Sequence, residues 1–285
     1  MRMSTCAVFL LSVTIFFAGM NSPRAEGHGP TFALATPTLA KDAWSSDTVG
    51  MWMSTQEGDT YRFREMIGYG LNEDLQFSLT FPLSSQISKV SHPPRTRVGA
   101  MMGGFGDIEP SLLWRFQRRA PAVGTRYESA LFVSGSLPTE DKRGGVAVGP
   151  GVNAAAVTGY ASRTIYWWMG GGFQRYFERG NDRLGDLPYL SAVFGWRPPL
   201  FREDYPKPDW RIFIESLAEF PRRDRIDNRE VANSGGQKVL LGPSLLGLYG
   251  KWGMELGVLF PVSQDLNGSQ PEEKARSKLV LTYWF

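Results

Sequence analysis

The last seven residues, Leu279-Val280-Leu281-Thr282-Tyr283-Trp284-Phe285, alternate, carry three aromatic rings and end on phenylalanine. Side chains along a strand point to opposite faces in turn. Leu279, Leu281, Tyr283 and Phe285 therefore share one face, and Lys278, Val280, Thr282 and Trp284 the other. A soluble sheet rarely leaves such a strand as its terminus, because an open edge invites further pairing, whereas a closed sheet has no edge.

The same period of two recurs along the chain. Segment 74–83 places Leu75, Phe77, Leu79, Phe81 and Leu83 on one face. Segments 108–117, 210–219 and 252–262 alternate as clearly. Weaker alternation spans 47–54, 61–69, 126–135, 151–160, 164–173, 186–196 and 238–248, and 274–285 closes the set. Twelve segments, most near the roughly 9–11 residues that cross a bilayer at a tilt, predict an all-β, antiparallel up-and-down transmembrane barrel. Gly170-Gly171-Gly172 interrupts one segment. Without a following Lys-Ser/Thr it reads as a close backbone approach rather than a phosphate loop.

Composition agrees. Aromatics are 13% and Gly numbers 32, yet mean hydropathy is −0.23. A wall apolar outside and polar inside averages to such a value. Arg2 followed by the apolar run 7–20 predicts a cleaved secretory leader over 1–25, too short for a membrane helix. Cys6, the only cysteine, goes with it, so no disulfide framework is expected. Losing Arg2 and Arg24 takes the net charge from +3 to +1, which gives no case for nucleic-acid binding. The chain beyond the leader divides into an extended segment, 26–43, and the barrel, 44–285. The segment's Phe32, Leu34 and Leu39 suit a plug tucked into the lumen.

Connections alternate in length. Short turns are expected at 71–73, 161–163 and 249–251, with 117–125 of medium length; longer outer loops are expected at 84–106, 137–150, 178–185, 222–237 and 263–273. Two depart from this rule: 55–60 is a short outer loop, and 197–209 a long inner one. Trp44, Trp114, Trp196, Trp210, Trp252 and Trp284 fall near the inner strand ends, where membrane barrels carry aromatic girdles.

Gly106-Asp107-Ile108-Glu109-Pro110-Ser111-Leu112-Leu113-Trp114-Arg115-Phe116 resembles a strand motif of the MetA-pathway of phenol degradation family of outer-membrane barrels. Tyr69-Gly70-Leu71-Asn72-Glu73-Asp74-Leu75 resembles that family's turn motif, and 260–270 its last outer loop. The terminal Phe285 matches, and resembles the assembly signal of bacterial outer-membrane barrels. The resemblance covers most of 44–285. It implies a bacterial outer-membrane protein associated with solute transport, and it supplies no catalytic residues. The expected partners are the lipid bilayer, the assembly machinery and a small solute.

Only His28 and His92 exist; His28 lies just after the expected cleavage site, and His92, beside Pro93-Pro94 in a loop, has no obvious Ser/Asp pair at strand spacing. No enzyme is predicted, and no metal or other cofactor. Asp265-Leu266-Asn267-Gly268 lacks the later ligands of a calcium loop and reads as a turn.

With the apolar register on lipid, the opposite register projects Arg62, Arg64, Gln76, Glu109, Arg115, Arg126, Glu128, Arg211, Glu215, Glu219, Glu255, Lys274, Arg276 and Lys278 inward. Two functions fit such a lumen. One is a passive channel for a small solute, with hydrophobic or aromatic compounds as candidates. The other is a non-transporting structural or surface-interaction barrel whose lumen is closed by ion pairs. Both signs occur in similar numbers, which argues against strong ion selectivity. Arginine at Leu256, on lipid, is expected to cost about 2–4 kcal/mol near midplane, and arginine at lumenal Leu259 to be much milder.

Overall fold

The computed structural model describes residues 29–83, 87–88, 107–139, 141–143, 145–202 and 207–285. The expected leader, His28, His92 and nearly all of the 84–106 loop lie outside the described residues. Twelve long antiparallel strands form one closed barrel: β1 Trp44–Thr55, β2 Gly58–Asn72, β3 Leu75–Pro82, β4 Asp107–Arg119, β5 Arg126–Pro138, β6 Gly151–Ala161, β7 Ile165–Tyr176, β8 Leu187–Trp196, β9 Asp209–Glu219, β10 Gly236–Tyr249, β11 Trp252–Leu266 and β12 Glu273–Trp284. Each pairs with its sequence neighbour. β1 pairs with β12 as well as β2, so the sheet has no open edge. This is the up-and-down barrel that the alternation predicts. Most strands run a few residues past their apolar alternation, because polar ends continue the ladder above and below the apolar band.

Both ends of the barrel wall, Trp44 and Trp284, lie at the same rim, where the Phe285 N–H donates to the Trp44 carbonyl at 3.1 Å. This is the short-turn end: its connections include 73–74, 162–164 and 250–251. The 197–208 connection is the long exception there, and the two-residue turn Gln56-Glu57 the short one opposite. Outer loops carry their own hairpins, Lys142–Arg143 with Val146–Ala147 and Arg225–Ile226 with Arg229–Glu230. The second turns through Asp227 and Asn228 at positive φ, 51° and 62°, a conformation these residue types tolerate.

Outward side chains form an apolar band. Leu112, Ile214, Leu256 and Leu281 are 44%, 49%, 49% and 45% exposed in the isolated chain. Trp114, Trp196 and Trp252 face outward toward the short-turn rim, where amphipathic rings suit a bilayer interface. Trp284 instead turns inward and packs with Leu39 and Ala43.

The inner wall is not uniformly polar. From β5 to β10 it carries a packed apolar cluster among its polar groups: Phe132, Val157, Trp168, Tyr189, Phe213 and Leu246 surround Ala33 and Leu34. Residues 29–43 thus run inside the barrel, with Thr31, Leu34, Thr36 and Leu39 almost fully buried. Inward glycines make room for them. A Cβ on Gly70 would lie 1.9 Å from the Ala40 carbonyl oxygen, and one on Gly257 2.6 Å from the Phe32 ring. Gly170, within the glycine triplet, would meet the Ala156 carbonyl oxygen at 2.5 Å and Leu34 at 3.0 Å.

Candidate solute path and lumen

The segment is held by the wall it crosses. On β9, alternation turns Glu215 inward, and it is fully buried. Its carboxylate accepts three successive backbone N–H groups, from Thr31 at 2.8 Å, Phe32 at 2.7 Å and Ala33 at 2.6 Å, and the Ser244 hydroxyl. The Lys278 ammonium donates to the Thr31 carbonyl. Ser191 Oγ accepts from the Leu34 N–H at 3.1 Å, and Gln76 Oε1 from the Leu39 N–H at 2.9 Å. Thr36 Oγ1 donates to Glu128 at 2.9 Å and accepts from the Trp168 indole N–H at 2.9 Å. An extended strand in a lumen has no ladder partner, so inward side chains must satisfy its backbone.

Thirteen of the fourteen predicted inward residues belong to the inner wall. Lys274 does not. Opposite β1, Thr55 pairs with Glu273 and Ser54 with Ala275, so Lys274 is the extra residue of a β-bulge and is exposed. Glu273 takes the inward place.

The inward charges fall into three sets. Toward the outer loops, Glu219, Arg276, Lys238 and Glu273 form a quartet with every side chain 2% exposed or less. Arg276 binds Glu219 at 2.9 Å and Glu273 at 2.7 Å, and Lys238 binds the same two carboxylates at 3.1 and 2.7 Å. The quartet is the ion-paired filling that one of the two expected lumens requires, and it adjoins Phe32, Leu217, Leu240 and Leu259. Lys238 was legible as the first residue of its alternating segment. Glu273 was not, since a bulge leaves no mark on the alternation.

The middle set lies on the opposite side of the segment. Arg64 approaches Glu109 at 3.9 Å, and Lys278 faces Glu255, Arg64, Glu215 and Asp47. Asp47 accepts from Thr282 Oγ1 at 2.5 Å. Arg62, also buried, continues the inward row above Arg64. A cavity of about 160 Å³ runs here between residues 29–37 and the wall of β1–β5, β11 and β12, with Val49, Met51, Met66 and Val280 as its apolar part.

The third set lies at the short-turn end. Arg115 binds Asp74 at 2.8 Å and Glu128 at 3.2 Å, and donates to the Glu73 carbonyl at 2.6 Å. Arg126 reaches Glu128 at 3.8 Å, and Arg211 and Arg197 share Asp209 at 3.1 and 2.6 Å. Two adjoining cavities of about 670 and 690 Å³ open here, sharing Arg126, Ala161, Tyr166 and Arg211. Lys41, Arg115 and Arg118 line the first as well, and Arg163 and Arg197 the second. Among the described residues, Glu73 is the only acidic side chain lining either.

No protein-family model and no curated protein matches this chain. Among solved structures, an outer membrane channel from Pseudomonas putida F1 superposes with a TM-score of 0.62 at 12% identity, over 90% of this chain and 99% of that one. The NanC porin superposes with a TM-score of 0.50 at 7% identity, over 84% of this chain and 98% of the porin. At such identities the likeness speaks for architecture. The chain has the closed antiparallel barrel fold of outer-membrane channels and porins.

Proposed function

We propose that this chain is an outer-membrane channel that passes a small solute by diffusion, with residues 29–43 as a constricting plug. The observation that carries this reading is the cavity beside the segment. It is lined by the plug on one side and by ionisable and apolar side chains of the wall on the other, and it lies between the outer loops and the basic chambers. The path runs off-axis, along β11, β12 and β1–β4, because the β5–β10 half of the lumen is packed. Its mixed lining suits a small solute with an apolar or aromatic part. The leader, the barrel and the Phe285 terminus support export to the bacterial outer membrane through the assembly machinery. The quoted motifs support membership of the MetA-pathway of phenol degradation family, and two histidines in the whole chain give an enzymatic reading no foothold.

The ion-paired quartet favours a second reading, a closed structural barrel. Planar-bilayer conductance separates the two. The protein should conduct weakly, and Glu215→Ala should conduct more, because three backbone N–H groups of the segment lose their acceptor. Silence from both proteins, each folded as judged by heat-modifiable migration, would favour the closed barrel.

A further inference from the structure

We propose that the chambers at the short-turn end form a binding site for a small organic anion, an aromatic or alkyl carboxylate, held by Arg126 and Arg163 with Arg211 behind them. This rests on the channel reading and names the class of solute.

Each chamber falls within the range of small-ligand sites, roughly 300–1,000 Å³. Their lining is one-sided in charge. Seven cations line them against Glu73 alone, among the described residues. Three further carboxylates pair with the arginines: Asp74 with Arg115, Glu128 between Arg115 and Arg126, and Asp209 between Arg197 and Arg211. The balance still leaves positive charge in excess. It is concentrated at one end of the barrel, while the cavity beside the plug carries Asp47, Glu109 and Glu255 against Arg64 and Lys278. The similar totals of the two signs along the chain conceal this axial segregation.

The geometry leaves donors for a ligand. The Arg126 side chain is 53% exposed, and its approach to Glu128 is a loose 3.8 Å. Arg163 lies over Gly124, where a Cβ would meet its Nε at 2.9 Å, so the guanidinium is laid across the 120–125 turn. Arg211 stands 5.2 Å from the centre of the Tyr166 ring. Guanidinium groups match a carboxylate with paired N–H donors. Tyr166, Trp168, Leu248 and Trp284 supply an apolar wall for the rest of the molecule. A basic chamber with low-dielectric walls also raises the local concentration of anions.

The test is calorimetric titration of the full processed protein in maltoside micelles, which carry no phosphate. Benzoate should bind saturably, with benzyl alcohol and benzylamine weaker by about tenfold or more, equivalent to about 1.4 kcal/mol. Added salt should weaken benzoate alone. Replacing both Arg126→Gln and Arg163→Gln, at solvent-facing positions, should weaken benzoate by a similar factor and leave benzyl alcohol unchanged. Equal affinity for all three probes, no saturable binding, or benzoate affinity unchanged in the double variant would each overturn the site. Benzoate binding by a protein that never conducts would sustain the site and remove the channel reading; conductance without benzoate binding would do the reverse.

Discussion

At the scale of single residues, position on the wall decides what a charge costs. Lys238 and Lys274 are both lysines near the outer rim, yet one closes a buried quartet and the other stands exposed on a bulge. Lys238→Met leaves Glu219 and Glu273 with Arg276 alone, and breaking a buried set of this kind typically costs about 3–5 kcal/mol. Lys274→Met should change stability by no more than about 0.5 kcal/mol, as at other exposed sites. Thermal or denaturant unfolding in micelles measures both, and equal effects would return Lys274 to the lumen. The same logic revises the expectation for Leu259. It is lumenal but wholly buried against Phe32, Leu217 and Leu240, so arginine there enters a packed, dry cluster beside Arg276. Leu256→Arg should cost about 2–4 kcal/mol on the lipid face near midplane, and Leu259→Arg should be at least as damaging. A well-tolerated Leu259→Arg would mean that this half of the lumen is wet.

Among elements, the outer loops are tied together by one carboxylate. Asp182 accepts the backbone N–H of Ala147 and that of Asp227, each at 3.0 Å, joining three loops. Those hydrogen bonds, Ala147's first, hold the Asp182 carboxyl below the usual carboxylate range. A depressed folded pKa means that the tie is fully present above the ordinary carboxylate pKa and is lost as pH falls through the lowered value. Asp182→Asn should therefore loosen the loops at neutral pH and remove the acid-induced step. The check is amide exchange at Ala147 and Asp227 across pH in both proteins, and an identical pH profile in the two would exclude Asp182 as the tie. The strands were legible because alternation of period two survives in most of them and turn residues bound the rest. The packed half of the lumen was not. In Tyr166-Trp167-Trp168-Met169 both faces are apolar, and alternation cannot say which face meets lipid. Nor did the inward glycines 70, 170 and 257 announce that they mark contacts with the N-terminal segment, because a glycine's purpose depends on what approaches it.

For the whole molecule, closure makes every strand a neighbour to two others, and the ring is as firm as its shortest ladder. Most ladders are long: β1 with β2 and β10 with β11 each make twelve residue pairs. β3 with β4 makes six, from 75–80 against 109–114. Pro110 lies within that stretch, opposite Leu79, and brings no N–H to the ladder. On its other side the pairing with β5 passes from Ile108 to Ser111 over Glu109 and Pro110, and the register shifts between Trp114 and Gln117. Behind the seam lies the cavity beside residues 29–37, and Ser78, Thr80 and Glu109 line it, whereas the β5–β10 wall packs directly on Ala33 and Leu34. An opened seam exposes unpaired backbone to lipid, which confines opening to brief local events. Hydrogen exchange in micelles should therefore release the amides of 75–80 before those of β10 and β11. Glu215→Ala, which removes the acceptor of the Thr31, Phe32 and Ala33 N–H groups, should quicken exchange in the β5–β10 wall and narrow that difference. If 75–80 proves among the slowest segments to exchange, the short ladder is not the weak point of the ring, and the cavity behind it must be filled by something that stiffens the seam.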